Sequence, residues 1–228
     1  MLLLAGVVTL AACGGAKAGA AAPKGDADAR LCTLGDPDDC NTQCNTRNNS
    51  GACMELGAMY EAGITVAVDL KKATTLYAHA CEMNNGFGCS SAGYMFGTGK
   101  GTPIDYPKSI ALYNRACELG VGQGCYNLGV MFESGYGVPR NERTAVLHFE
   151  YACLIGSAAG CSSAGVKYIM GRGVVRNVER GLSYLKQGCA GGNKWGCERL
   201  QELAAAQGGA GAPPGGGSNG AKGPGESM

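Results

Sequence analysis

The side chains with the greatest chemical potential in this chain are its thirteen cysteines, because sulfur either pairs covalently or binds metal. Cys81, Cys117, Cys153 and Cys189 are each 36 residues apart, and so are Cys53, Cys89, Cys125, Cys161 and Cys197. Zinc clusters usually place about two to four residues between paired cysteines and often enlist histidine. Here seven residues separate the members of each close pair, such as Cys81 and Cys89, so the spacing points to neither metal nor any other cofactor. Thirteen cysteines far exceed what a reducing cytosol usually keeps, so the chain reads as exported.

Nucleophilic chemistry has one weak candidate. Ser183-Tyr184-Leu185-Lys186 matches the Ser-x-x-Lys of serine β-lactamases and penicillin-binding proteins, in which the lysine helps activate the serine. Neither Ser-Asp-Asn nor Lys-Thr-Gly follows it, and Lys186 fits a solvated helix face equally well. Gly97-Thr98-Gly99-Lys100-Gly101 has the composition of a phosphate loop but lacks its first glycine and closing Ser/Thr. His79 and His148 have no carboxylate or serine partner legible in the sequence and read as structural or exposed. Nineteen basic against eighteen acidic residues leave a charge of +1, with no basic stripe to neutralise phosphates, which argues against nucleic acid as a partner.

The elements that must position these groups follow from the cysteine period. Repeats counted from the second cysteine series run 53–88, 89–124, 125–160 and 161–196, and a half repeat, 197–207, ends the array. A period of this size signals a solenoid of supersecondary units. Within each unit the fifth position is glycine (Gly57, Gly93, Gly129, Gly165), the eighth aromatic (Tyr60, Phe96, Phe132, Tyr168) and the eleventh again glycine. The seventeenth is Asp or Asn (Asp69, Asp105, Asn141, Asn177). These columns predict two helices per unit. The first starts at the cysteine, runs about nine residues with Leu56, Met59 and Tyr60 at helical spacing, and stops at a glycine. The second starts after the Asp/Asn column, whose side chain accepts from an orphan N–H, and runs through Leu76, Tyr77 and Ala80 to Cys81. The fifth-position glycine falls inside a helix at a cost of about 1 kcal/mol relative to alanine, so close approach of the partner helix is expected there.

This pattern resembles the Sel-one-like repeat, an α/α hairpin of tetratricopeptide-like shape. The resemblance is carried by Leu56-Gly57-Ala58-Met59-Tyr60 with Gly63, and by Asn127-Leu128-Gly129-Val130-Met131-Phe132 with Gly135-Tyr136-Gly137-Val138, and it covers about residues 53–203. With a cysteine at each helix junction, the chain is similar to the branch named after the Helicobacter cysteine-rich proteins. The fold this implies is an all-α, α/α solenoid stapled by disulfides. The resemblance also implies the bridges Cys81–Cys89, Cys117–Cys125, Cys153–Cys161 and Cys189–Cys197, each closing a loop worth about 2.5 kcal/mol on the chain-entropy argument. Residues 31–52 match less well, lack the helices expected between cysteine pairs and read as a shortened capping unit. Cys40 and Cys44 do not suit a bridge if they share one helical turn. That favours Cys32–Cys40 with Cys44–Cys53 and leaves the pairing of these four open.

Stacked hairpins curve, and their first helices line a concave surface suited to a peptide or protein. By analogy with tetratricopeptide repeats, Met54, Glu61, Tyr94, Tyr126, Glu133 and Met170 would face it. The resemblance to the cysteine-rich branch implies a second reading, binding and slow hydrolysis of β-lactams, with Ser183 and Lys186 as the weak catalytic candidates. In that reading the groove would recognise peptidoglycan fragments, which β-lactams mimic. The chain is expected to act as a monomer.

Residues 2–12 form an apolar run of signal-peptide length, much too short to span a bilayer. It ends in Leu10-Ala11-Ala12-Cys13-Gly14, which resembles the lipobox of bacterial lipoproteins, so 1–12 is expected to be a signal and Cys13 a lipidated residue in the cell envelope. No Lys or Arg precedes the run, a departure that a start further upstream would explain. Removing Cys13 to a lipid leaves twelve cysteines, a number that pairs completely. Residues 13–30 read as a flexible tether and 208–228, with nine glycines and three prolines, as a disordered tail. The membrane is expected to be met only through the anchor.

Overall fold

The computed structural model describes residues 32–33 and 35–208; the expected signal 1–12, Cys13, the tether to residue 30 and the tail beyond Gly208 lie outside the described residues. Among the described residues the chain forms ten α-helices and no strand. They are α1 (Pro37–Thr46), α2 (Ser50–Ala62), α3 (Leu70–Glu82), α4 (Gly86–Thr98), α5 (Tyr106–Glu118), α6 (Gly122–Ser134), α7 (Glu142–Leu154), α8 (Ala158–Met170), α9 (Val178–Ala190) and α10 (Lys194–Gly208).

The Asp/Asn column caps the odd-numbered helices. Asp69, Asp105, Asn141 and Asn177 accept from the backbone N–H three residues on, at 2.9–3.0 Å, satisfying one of the donors a helix start leaves unpaired. The even-numbered helices end at Gly63, Gly99, Gly135 and Gly171, all left-handed with φ between 71° and 77°, whose N–H bonds back into the last turn.

The start of the first helix in each hairpin corrects the expectation. It begins three residues before the cysteine, at Ser50, Gly86, Gly122 and Ala158, and each of these helices is 13 residues long. The cysteine-preceding glycines Gly88, Gly124 and Gly160 lie inside the first turn. A Cβ there would fall 2.7, 2.6 and 2.6 Å from the Cβ of Ala80, Ala116 and Ala152, so glycine is required by the helix crossing. Asn49, Asn85, Ser157 and Asn193 cap these starts; only α6 lacks a side-chain cap, and its cap residue Val121 instead packs with Cys81, Cys89 and Ala116.

The segment 31–52 is also more helical than expected. α1 carries both Cys40 and Cys44, one turn apart, and they bond outward to Cys32 and Cys53. Cys44 on α1 meets Cys53 on α2 as Cys81 on α3 meets Cys89 on α4, so α1 stands where the second helix of a preceding hairpin would stand. Its apolar periodicity is poor, because cysteines supply most of its buried face, and this hid it from the sequence.

The remaining bridges are Cys81–Cys89, Cys117–Cys125, Cys153–Cys161 and Cys189–Cys197. Ten of the twelve paired cysteines are buried, and only Cys189 and Cys197 are half-exposed. Six bridges in one small chain are the mark of an oxidising compartment, and among the described residues no helix is long and apolar enough to cross a membrane. Each helix packs on its neighbours in sequence, and each of α2, α4, α6 and α8 also touches the next even-numbered helix. The even-numbered helices thereby form a continuous layer, the inner side of the solenoid. Their glycines Gly57, Gly93 and Gly129 lie under the rings of Tyr77, Tyr113 and Phe149, with an added Cβ only 2.7, 2.8 and 2.4 Å from a ring carbon. The expected close approach is therefore an aromatic ring, whose burial at about 1.5–3 kcal/mol offsets the propensity cost of the glycine.

Candidate ligand groove on the inner helix layer

Residues seven apart on a helix share a face, so Tyr126 and Glu133 of α6 point the same way, as do Ser163, Val166 and Met170 of α8. Together with Lys167, Arg172 and Trp195 they line a crevice of about 350 Å³ between α6, α8 and α10. Met170 is 58% and Trp195 41% exposed, so the crevice presents large apolar surface to solvent. Such surface next to fixed polar groups is what a small recognition site offers.

The polar floor is Lys167, whose side chain is almost fully buried. Its ammonium donates to Glu133 Oε1 at 2.6 Å and to Glu142 Oε2. Glu142 also accepts from Arg140 and, at 2.7 Å, from Arg172. Burial by itself would raise the Glu142 carboxyl, but the hydrogen bonds from Lys167, Arg140 and Arg172 outweigh it and hold the group down at about 2. The network fixes the Lys167 and Arg172 side chains and, with three cations to two carboxylates, leaves the crevice floor with a net positive charge.

Of the six residues expected on the concave face, Tyr126, Glu133 and Met170 meet in this crevice. The other three do not join them. Met54 is half-buried against two core clusters. Glu61 accepts from the Tyr77 hydroxyl at 2.8 Å and pairs with Lys100 at 3.9 Å, while Lys100 lies 5.0 Å from the Tyr94 ring. Glu61 and Tyr94 thus form a separate polar cluster near the amino-terminal hairpins. Lys167, Val166, Arg172 and Trp195 were missed. Lys167 had a signal: it occupies the seventh column, where the other repeats carry Met59, Met95 and Met131.

Ser183 is exposed on the opposite, outer side, in a crevice with Glu150, Arg180, Tyr184 and Gln187. Lys186 is exposed and, among the described residues, no hydrogen bond joins it to Ser183. Glu150, the carboxylate of that crevice, is engaged by the Tyr168 and Tyr184 hydroxyls at 2.8 and 3.0 Å and by Arg180 at 2.7 Å. Burial and that carboxylate push the Tyr168 hydroxyl up to about 12. His148 stacks on Phe132 with centroids 5.3 Å apart, and His79 Nδ1 lies 3.8 Å from Cys44 Sγ. Cys44, Cys53 and His79, and likewise Cys32, Cys40 and Glu55, place ligand-type atoms within 4.8 Å of one another. The sulfurs in both groups are bonded to each other at 2.03 and 2.05 Å and offer no thiolate to a metal.

The Sel1 repeat family model matches residues 50–85, 88–121, 122–157 and 159–193. Among solved structures, the chain is similar to a Sel1 repeat protein from Oxalobacter formigenes, at 22% identity and a TM-score of 0.69 over 73% of this chain and 66% of that one. It is similar to c5321, described as a protective antigen present in uropathogenic Escherichia coli strains, at 27% identity and a TM-score of 0.69 over 75% of this chain and 37% of that one. Cysteine-rich protein B of Helicobacter pylori is 34% identical over 58% of this chain and 96% of its own length, with a TM-score of 0.49. The chain thus spans just under two thirds of the first of these proteins and about a third of the second. No curated protein matches it.

Proposed function

The chain belongs to the Sel1 repeat family, and from that premise we propose that it is a binding scaffold whose inner crevice between α6, α8 and α10 holds an extended segment of a partner protein. Sel1 repeat scaffolds typically mediate protein–protein interaction. The observation that carries the reading here is that Tyr126, Met170 and Trp195 surround one crevice over a charge network that is already fixed. Aromatic and methionine side chains in such a setting are the usual anchors of interfaces, and prior ordering of Lys167 and Arg172 lowers the entropy lost on binding. The partner is met outside the cytoplasm, where the chain is held by a lipid on Cys13 at the bacterial envelope.

The test is capture of envelope proteins on the mature chain, compared with Trp195→Ala and Met170→Asp variants of unchanged helicity. A protein held by the parent and released by both variants supports the groove; capture that neither variant weakens overturns it. Hydrolysis of β-lactams rests on the resemblance to the cysteine-rich branch, since Ser183 has no base within bonding reach among the described residues. Nitrocefin turnover by the purified chain that Ser183→Ala abolishes would establish it, and absence of turnover removes it.

A further inference from the structure

The four repeats act as internal controls for one another: a residue that the hairpin needs recurs in its column, and one that departs from the column is free for another task. The junction of α7, in the third hairpin, with the loop from α8 to α9, in the fourth, holds two such departures, Arg143 and Val175, and one cation, Arg176, that recurs from Arg140 without its partner. Arg176 stands where earlier repeats carry Val68, Ile104 and Arg140, Arg143 where they carry Lys71 and Pro107, and Val175 is 88% exposed. Arg140 finds its carboxylate two residues on, at Glu142; at the same offset from Arg176 the chain has Val178.

These residues line a cleft of about 780 Å³ between α7 and the loop from α8 to α9, within the size range of ligand pockets. Arg143 has no hydrogen-bond or ion-pair partner among the described residues, and Arg176 uses only its Nε, donating to the Ile169 carbonyl at 2.9 Å. Arg180 is satisfied by Glu150. The cleft therefore carries two guanidinium groups whose forks are open, and concentrated like charge of this kind is relieved by an anion. Beside them lie the exposed Leu147 and Val175. The backbone N–H and C=O groups of Gly173, Val174 and Val175 find no partner in the chain among the described residues, so the cleft wall offers main-chain donors and acceptors.

We propose that this cleft is a second ligand site, which takes the free C-terminal carboxylate of a peptide ending in an aliphatic residue. Arg143 and Arg176 hold the carboxylate, Leu147 and Val175 the last side chain, and the open backbone of residues 173–175 the peptide bonds. A fatty acid would satisfy the first two and leave the third unmet. The site is separate from the inner crevice and does not depend on it.

Isothermal titration of the mature chain with N-acetyl-Ala-Leu, its C-terminal amide and octanoate tests the assignment. The free peptide is expected to bind at least about tenfold more tightly than either comparator. Arg143→Gln/Arg176→Gln, and each single substitution, should lose that preference at unchanged helicity, and Trp195→Ala should keep it. Equal binding of acid and amide, no heat from the acid, tighter binding of octanoate, or an unchanged preference in the double variant would each overturn the proposal.

Discussion

In the hairpins α2–α3, α4–α5 and α6–α7 an aromatic ring from the second helix covers the glycine of the first; in α8–α9 the ring is gone and a second glycine takes its place. Leu185 stands in the column of Tyr77, Tyr113 and Phe149, and Gly181 in that of Ala73, Ser109 and Ala145. A Cβ on Gly165 would lie 2.8 Å from the Gly181 carbonyl oxygen, and one on Gly181 would lie 2.7 Å from the Gly165 carbonyl oxygen. The first three hairpins are spaced by a side chain and the fourth by backbone meeting backbone. The same hairpin carries Lys167 in the methionine column and borders both the half-exposed bridge and the open arginine cleft. Departures from the repeat thus gather at its carboxyl-terminal end, where both candidate sites lie.

The largest expected effect separates the two kinds of spacing. Gly165→Ala pushes Cβ into backbone, which cannot rotate away, and should destabilise the chain by more than about 3 kcal/mol. Gly129→Ala meets the Phe149 ring and should cost about 2–3 kcal/mol. The Phe149→Leu exchange should recover part of the second loss, whereas Leu185→Ala, which clears one side-chain atom at 2.9 Å but leaves the Gly181 carbonyl and the Leu185 nitrogen in place, should recover less of the first, a difference read as coupling in urea melts. Equal rescue at both positions would show that a side chain is the obstacle in each.

The bridges come next. Cys117→Ala/Cys125→Ala and Cys189→Ala/Cys197→Ala open loops of the same length, worth about 2.5 kcal/mol in chain entropy. The internal pair should show the full loss, because it joins two packed hairpins. The terminal pair should show less, because α10 has a neighbour on one side only. Under limiting reductant, alkylation and mass spectrometry should find Cys189 and Cys197 labelled first, since the other ten sulfurs are buried.

Acid should act on the carboxyl-terminal network. Glu142 titrates at about 2 in the folded chain against an ordinary 4.5, so the unfolded chain binds the proton more readily. The stability this group supplies is complete above pH 4.5 and is lost as pH falls from there toward 2. Glu142→Gln should flatten that part of the acid limb in thermal melts. At the alkaline end burial raises the Tyr113 hydroxyl to about 12, so its contribution is complete below pH 10 and fades as pH rises from 10 to 12. Lys167→Met, which restores the repeat's methionine, should change stability by less than about 1 kcal/mol, because an apolar side chain replaces a buried ammonium, Arg140 and Arg172 still satisfy Glu142, and Glu133 is partly exposed to water.

How much of this was legible in the sequence depended on whether a residue acts within its repeat or between repeats. The cysteine period, the Asp/Asn caps and the terminal glycines are local devices, and their columns located the hairpins. The cysteine-preceding glycines are contacts across a helix crossing, which leave no mark within a single repeat, and the helices start three residues before the cysteines at which they were expected. α1 was hidden for a similar reason: its buried face is sulfur, which carries no helical signature. In the groove, Tyr126, Glu133 and Met170 followed from face geometry. Lys167 required comparison down a column, and Trp195 required knowing that α10 closes against α8. Ser183 and Lys186, though neighbours in a motif, lie exposed without a bond between them.

The smallest effect concerns a contact that recurs in three hairpins and is exchanged in one. Lys72 lies over Tyr60 at 4.9 Å, Lys108 over Phe96 at 3.9 Å and Arg180 over Tyr168 at 4.5 Å, each cation one turn into the second helix and each ring near the end of the first. The third hairpin has Thr144 in the cation's column, and His148, one turn further on, stacks on Phe132 instead. Burial lowers the His148 imidazole, so near neutrality this stack is uncharged and owes nothing to a cation. Lys108→Met should therefore cost about 0.5–1 kcal/mol, the range for an exposed cation over a ring. Protonating His148 has the opposite character: its contribution is present above its ordinary 6.5 and is lost as pH falls below it, since the folded chain resists the proton. His148→Phe should remove that pH dependence and leave the Lys108 contact as it was; a Lys108→Met variant as stable as the parent would reduce the recurring cation to solvent-exposed decoration.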